Sequence, residues 1–242
     1  MSDTETLVRG EDQESPAPSR TNRRAFLKTS AAALALSVVA CGDDEPDPFE
    51  PDPDPDPDPT AVDLGTGDIA VLNYALVLER LEAGFWSEVV SNPYVGMEAT
   101  ELETLTEIRD HEIAHRDFLI AALGPDAIGE LEFDLSAVDF TSRESVLGTA
   151  RTFEDLGVAA YNGAGQLLEN VDFLLVAGKI VSVEARHASV VRDLLQPGTD
   201  HFAGDDVVDA NGLDGAMTPQ EVLTAAGDFI VTELDTSGLP TA

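Results

Sequence analysis

The chain has 242 residues, with 47 Asp and Glu against 13 Lys and Arg, for a formal net charge of −34. This length and a hydrophobic content of 43% support a packed core. The acidity excludes a duplex binder, which must present Lys and Arg to phosphates. A single cysteine, Cys41, excludes an internal disulfide framework, an iron–sulfur site and a Cys-based zinc finger. A bound metal would have to rest on carboxylates and the four histidines.

Charge is unevenly spread. Residues 1–40 are neutral, residues 42–60 hold nine acids and no base, and residues 61–242 hold 33 acids and 8 bases. Lysine occurs only at Lys28 and Lys179. An acidic, lysine-poor surface fits a protein kept soluble at high salt, where self-repulsion is screened, and equally an ordinary acidic exported protein.

The first segment reads as an address. Asn22-Arg23-Arg24-Ala25-Phe26-Leu27-Lys28 precedes an apolar run, Ala31 to Ala40, that is too short to cross a bilayer. Arg23 and Arg24 before that run resemble a twin-arginine export signal. Val38-Val39-Ala40-Cys41 resembles a lipobox, which would make Cys41 the lipidated first residue of the mature chain. Residues 42–60, with Pro and Asp alternating from Pro51 to Pro59, can form neither helix nor central strand and are predicted to be a disordered, extended tether. The expected organisation is therefore a signal over 1–41, a tether over 42–60 and a folded domain over 61–242. The protein is expected outside the cytoplasm, held to a membrane by a lipid.

The domain is predicted to be all-α. Helix-period stripes run from about Asp68 to Val90 (Ile69, Leu72, Leu76, Ala83, Trp86) and from Ala99 to Leu123 (Leu105, Ile108, Leu119, Ala122). Asn92-Pro93 breaks the first and Gly124-Pro125 stops the second. A connection of roughly 18 residues follows, with weak strand-like alternation over Glu130 to Phe140. The third helix starts at a Thr141 or Ser142 cap and runs to about Leu168. The fourth runs from about Asp172 to Leu195, and a shorter one from Pro219 to about Phe229 is expected on the outside. Two antiparallel hairpins joined by one long crossover make a four-helix bundle, with a short C-terminal helix added.

Carboxylates and histidines interrupt the apolar stripes. Glu112 and His115 fall on the stripe of Leu105, Ile108 and Leu119, and Glu184 and His187 on that of Ile180, Val191 and Leu194. Glu79 lies between Leu76 and Ala83, and Glu154 between Ala150 and Val158. Each Glu-x-x-His places its two side chains on one face. Four buried carboxylates would cost several kcal/mol each if unpaired. Two divalent cations would cancel that charge, and carboxylate-rich ligation suits iron or manganese. One Glu on each of two helices plus Glu-x-x-His on the other two is a known dinuclear ligand set of such bundles. The competing reading is a set of buried Glu–His hydrogen bonds in a bundle that has lost its metal.

The segments Leu78-Glu79-Arg80-Leu81-Glu82-Ala83-Gly84-Phe85, Glu154-Asp155-Leu156-Gly157-Val158-Ala159-Ala160-Tyr161 and Val183-Glu184-Ala185-Arg186-His187-Ala188 carry a resemblance to the ferritin-like superfamily. They resemble in particular its exported branch, which includes desiccation-related relatives. The resemblance implies a ferritin-like bundle in which Glu112 and Glu184 bridge two metals while Glu79 and Glu154 are terminal ligands. Glu82, one turn beyond Glu79, could replace it. An oxidoreductase centre acting on oxygen or peroxide would follow, of ferroxidase, peroxidase or catalase type. The alternative is a non-catalytic, stress-related envelope protein that keeps the bundle.

Other polar residues read more plainly. His111 is expected on the solvated surface, and His201 in a loop, structural or exposed. Tyr161 reads as core packing or as a donor to a metal-bound oxygen. Gly148, Gly157, Gly163 and Gly165 each lower the helix propensity of the third helix by about 1 kcal/mol, which close helix approach would explain.

Overall fold

The computed structural model describes residues 60–241; Arg23, Arg24, Cys41 and the segment 42–59 lie outside the described residues. Five helices follow in order: α1 (Asp68–Ser91), α2 (Ala99–Leu123), α3 (Arg143–Gly165), α4 (Val171–Leu195) and α5 (Pro219–Ala226). α1 packs along α2 and α3 along α4, as two hairpins joined by the long crossover over residues 124–142. This is the all-α bundle expected, with two local differences. α3 ends at Gly165 rather than near Leu168, and a 3-10 turn over Gly227–Phe229 replaces the last part of α5.

Local chemistry sets the helix ends. The Ser142 hydroxyl accepts from Ser145 N at the start of α3, and the Asn170 side chain accepts from Asp172 N at the start of α4. Thr218 and Glu221 form a reciprocal capping box on α5. Gly124 stops α2 with φ at 58°, a conformation that side chains disfavour.

The strand-like alternation of the crossover does not become a strand. Phe133 makes only one bridge to Ile230, because the crossover lies on α1 and has no sheet to join. Asn73 on α1 donates to Leu64 O and Asp126 O and accepts from Ile128 N, while Arg80 donates to Ile128 O and pairs with Glu130. These contacts fix the crossover against α1. A short parallel pair, β1 (Val62–Asp63) with β2 (Leu234–Asp235), closes the two ends of the domain together.

With neighbours on every side, α1 is buried almost continuously from Ala70 to Ala83, and its single predicted stripe understates this. The core forms two apolar clusters. One gathers Leu76, Leu119, Ala160 and Ile180, and the other Phe85, Trp86, Leu105, Leu147, Phe153 and Val191. Glu79, Glu112, Glu154 and Glu184 are all fully buried in this same bundle interior.

The glycines of α3 have separate reasons. Gly148 has no neighbour close enough to demand it, and at Gly165 a Cβ would meet only an ordinary contact with Leu174. At Gly163 a Cβ would lie 1.7 Å from Met217 O, because the strand-like segment before α5 crosses here and Met217 N donates to Ala159 O. Gly163→Ala must therefore push residues 215–219 off α3. We expect a loss of about 3 kcal/mol, the upper part of the overpacking range, read as a lower thermal midpoint with metal binding retained.

Candidate metal centre

Each helix of the bundle contributes to one polar layer. α1 supplies Glu79, α2 supplies Glu112 and His115, α3 supplies Glu154, and α4 supplies Glu184 and His187. The four carboxylates are fully buried, His187 is 4% exposed, and the His115 side chain is 12% exposed. Donor atoms of Glu79, Glu112, His115 and Glu184 lie within 4.8 Å of one another, as do those of Glu112, Glu154, Glu184 and His187.

The two groups share Glu112 and Glu184. His115 Nδ1 lies 2.8 Å from Glu184 Oε1, 3.5 Å from Glu79 Oε2 and 3.6 Å from Glu112 Oε2. His187 Nδ1 lies 2.6 Å from Glu112 Oε1, 3.5 Å from Glu154 Oε2 and 3.8 Å from Glu184 Oε2. Glu112 and Glu184 thus turn one oxygen toward each imidazole, which is the arrangement of a carboxylate-bridged dinuclear metal-binding site.

The fit of that reading can be tested on hydrogen bonding. Despite the short separations, neither Nδ1 nor any of the inward oxygens makes a properly directed hydrogen bond. Buried polar atoms are rarely left so. Here they point into common spaces between the side chains, as donors to a cation do. Two divalent ions suit them, with three oxygens and one nitrogen for each.

The outward oxygens of the terminal carboxylates are held. Tyr161 OH donates to Glu79 Oε1, and Trp86 Nε1 donates to Glu154 Oε1 at 2.7 Å. Trp86 follows Glu79 by seven residues on α1, and Tyr161 follows Glu154 by seven on α3. Because the two helices run antiparallel, each aromatic reaches the carboxylate of the other. Tyr161 therefore holds a carboxylate of the polar layer, and Trp86 has a role that its place on an apolar stripe did not reveal. The repeated spacing was the signal available.

His111 is solvent-exposed, as expected, yet not a bystander. Its Nδ1 lies 3.0 Å from His187 Nε2, and the rings stack at 5.2 Å. A metal on His187 Nδ1 would leave the ring proton on Nε2, which would then donate to His111 Nδ1 and hold the imidazole in that tautomer. His111 and His115 stand four apart on α2, so both reach toward α4; the angle from Glu112 alone missed this. His201 is structural, its carbonyl accepting from the buried Arg192. Glu82 is buried too, but it stands outside both donor groups.

Electrostatics follow the geometry. Burial, with Glu184 nearby, pushes Glu79 well above the usual carboxylate range against the pull of His115. Burial pushes Glu154 up to about 8, against the pull of His187. Burial also opposes charge on Glu112, but His115 and His187 outweigh it and hold this carboxyl down to about 2. Burial disfavours both imidazolium ions, yet the surrounding carboxylates push His115 and His187 up to about 12. Without metal, protons stand where cations would.

Removing the outer hydrogen bonds should act on each metal separately. Tyr161→Phe is expected to weaken the metal beside Glu79 and His115, and Trp86→Phe the metal beside Glu154 and His187. Each loss should be about 10- to 100-fold, the usual effect of removing an outer partner of a ligand. Competition titration with a chelator of known affinity reads both.

A sequence model of the family described as ferritin-like domain matches residues 67–197, more than half of the chain. A comparison with curated proteins returned no match.

Proposed function

Because the chain belongs to the ferritin-like domain family, we propose that its centre holds two iron or two manganese ions and reacts with a small oxidant, dioxygen or peroxide. The observation that supports this most directly is the pair Glu112 and Glu184, each turned toward both imidazoles with its oxygens unpaired. Glu79, Glu112, His115, Glu154, Glu184 and His187 are the proposed ligands. Six carboxylate oxygens and two imidazole nitrogens form a hard donor set, which favours iron or manganese over copper or zinc. Metals bound there supply electrons and Lewis acidity.

The protein's own groups do the rest. Tyr161 and Trp86 keep the terminal carboxylates from rotating, and His111 orients His187. The two apolar clusters limit water, which strengthens every charge interaction inside.

The same proposal exports the bundle by Arg23 and Arg24 to the periplasm or cell surface and anchors it there to a membrane by a lipid on Cys41, in the exported, desiccation-related branch of the family. Cys41→Ser should release the protein from membranes with its metal content unchanged. Replacing Arg23 and Arg24 by Lys should block export.

The deciding measurement is elemental analysis of protein purified from its own host, followed by peroxide consumption. Two iron or manganese ions per chain, with consumption that a zinc-loaded sample lacks, supports the proposal. Failure to retain metal overturns it. Retained metal without turnover makes this a non-catalytic stress-related envelope protein instead.

A further inference from the structure

We infer that the groove between α3 and residues 206–217 binds a small zwitterion whose opposite charges lie at its two ends, of the class of the ω-amino acids. None of the residues lining it belongs to the donor groups of the dinuclear centre, and the inference does not rest on the metals.

The groove has a volume of about 430 Å³. Leu156 and Ala159 on α3, with Val207 and Met217 opposite, give it an apolar floor, and charged side chains stand around them. Arg151 marks one end. It is half-buried, and among the described residues it is the one arginine that meets neither an acid nor a hydrogen-bond acceptor. The other arginines of the domain are all engaged. Where acids outnumber bases by 33 to 8, an arginine without an acid calls for a reason. Asp155, one turn further on, is its natural partner at i+4. Arg192 takes both Asp155 oxygens instead, through Nε and Nη2 at 2.8 Å.

The other end is negative. Arg192, 2% exposed, also donates to Asp206 from Nη2 at 2.8 Å, and Asp214 forms no ion pair among the described residues. Three carboxylates thus face one guanidinium. Arg192 holds the Asp206 carboxyl below its ordinary value, so it is ionised at neutral pH. Burial, with Asp155 nearby, pushes the Asp214 carboxyl up, and a cation beside it would draw it back to the ionised form. Two hydrogen bonds set the length of the groove. Met217 N donates to Ala159 O and Asn162 Nδ2 to Gly215 O, which places Asp214 over α3 at least two turns beyond Arg151. From residue 151 to 159 the helix rises about 12 Å, of which the Arg and Asp side chains span a part.

These features select the occupant. An inorganic anion suits Arg151 but meets three carboxylates. A metal ion meets two guanidinium groups, and Asp155 and Asp206 already give their oxygens to Arg192. Water or a neutral solute supplies Arg151 with no counter-charge. A zwitterion with separated charges answers both ends, its carboxylate on Arg151 and its ammonium on Asp206 and Asp214, with its methylenes on the apolar floor. An α-amino acid, whose charges are adjacent, reaches one end only.

Titration calorimetry on the full chain with ω-amino acids of increasing length tests this. The terminal amino acid ε-aminocaproate should bind about tenfold or more tightly than glycine, and likewise than caproate or hexylammonium, each of which lacks one charge; one charge-assisted hydrogen bond is worth that factor. Arg151→Gln should weaken ε-aminocaproate by the same factor without weakening hexylammonium. Asp214→Asn should weaken it without weakening caproate. Metal content should be equal in all three proteins. Absence of saturable binding overturns the inference, as do caproate binding as tightly as ε-aminocaproate and variants that bind like wild type. Protein that shows these affinities but retains no metal supports the inference and overturns the metal reading alone.

Discussion

Glu112→Ala or Glu184→Ala is expected to reduce metal content from two per chain to one or none. Each of these carboxylates turns one oxygen to each imidazole, so a single substitution removes a donor from both positions. It also leaves the remaining cation charge less compensated in a fully buried layer. Breaking a buried charge pairing costs roughly 3 kcal/mol or more, which corresponds to about 100-fold in affinity. Glu79→Ala and Glu154→Ala should each spare one metal, because each terminal carboxylate faces one imidazole. Elemental analysis after gel filtration distinguishes the two patterns. Two metals retained in Glu112→Ala and Glu184→Ala would mean that the shared carboxylates do not bridge.

The metal-free protein is expected to lose stability as pH rises from about 5 to 8, and the metal-loaded protein to resist that loss. Glu79 and Glu154 have folded pKa values raised by burial, Glu154 to about 8 against an ordinary 4.5. Between those values the folded state binds more protons than the unfolded state, so stability falls with rising pH. His115 and His187, raised to about 12 by their carboxylates, act in the same direction. Their contribution is fully present below the unfolded value near 6.5 and is lost as pH rises through 12. Glu112 has the opposite sign: its contribution is present above the ordinary carboxylate value and is lost as pH falls toward about 2.

Summed, these shifts are on the order of a few kcal/mol across that window, or roughly 10 °C in the thermal midpoint for a domain of this size. Metals must displace protons from both imidazoles, so their affinity climbs with pH and the gap between loaded and metal-free midpoints widens. Thermal melts at pH 5 and pH 8, with and without chelator, measure this gap. Glu79→Gln with Glu154→Gln should flatten the slope of the metal-free protein. An unchanged slope would assign it to the acidic surface instead of the centre.

The bundle and the six residues of its polar layer could be read from the chain because both depend on local regularities. Helical period, caps such as Ser142 and Asn170, and stops such as Gly124-Pro125 act within a few residues. A Glu-x-x-His on an apolar stripe marks itself as buried, since i and i+3 share a face whatever that face packs against. Length alone made the crossover apparent. The choice between Glu79 and Glu82 stayed open for the same reason: one turn apart, they differ in depth against α3, and depth is not a local property.

Tertiary structure decided everything that depends on two helices meeting. The antiparallel approach of α1 and α3 sent Trp86 to Glu154 and Tyr161 to Glu79 and set Glu82 against Gly157. Likewise, α4 brought His187 to His111, which α2 by itself leaves facing water. Gly163 made sense only once Met217 crossed it, some fifty residues further along. Periodicity says which side of a helix is buried, but only the packed neighbour fixes which atoms on that side can bond, because a hydrogen bond is set within a few tenths of an ångström.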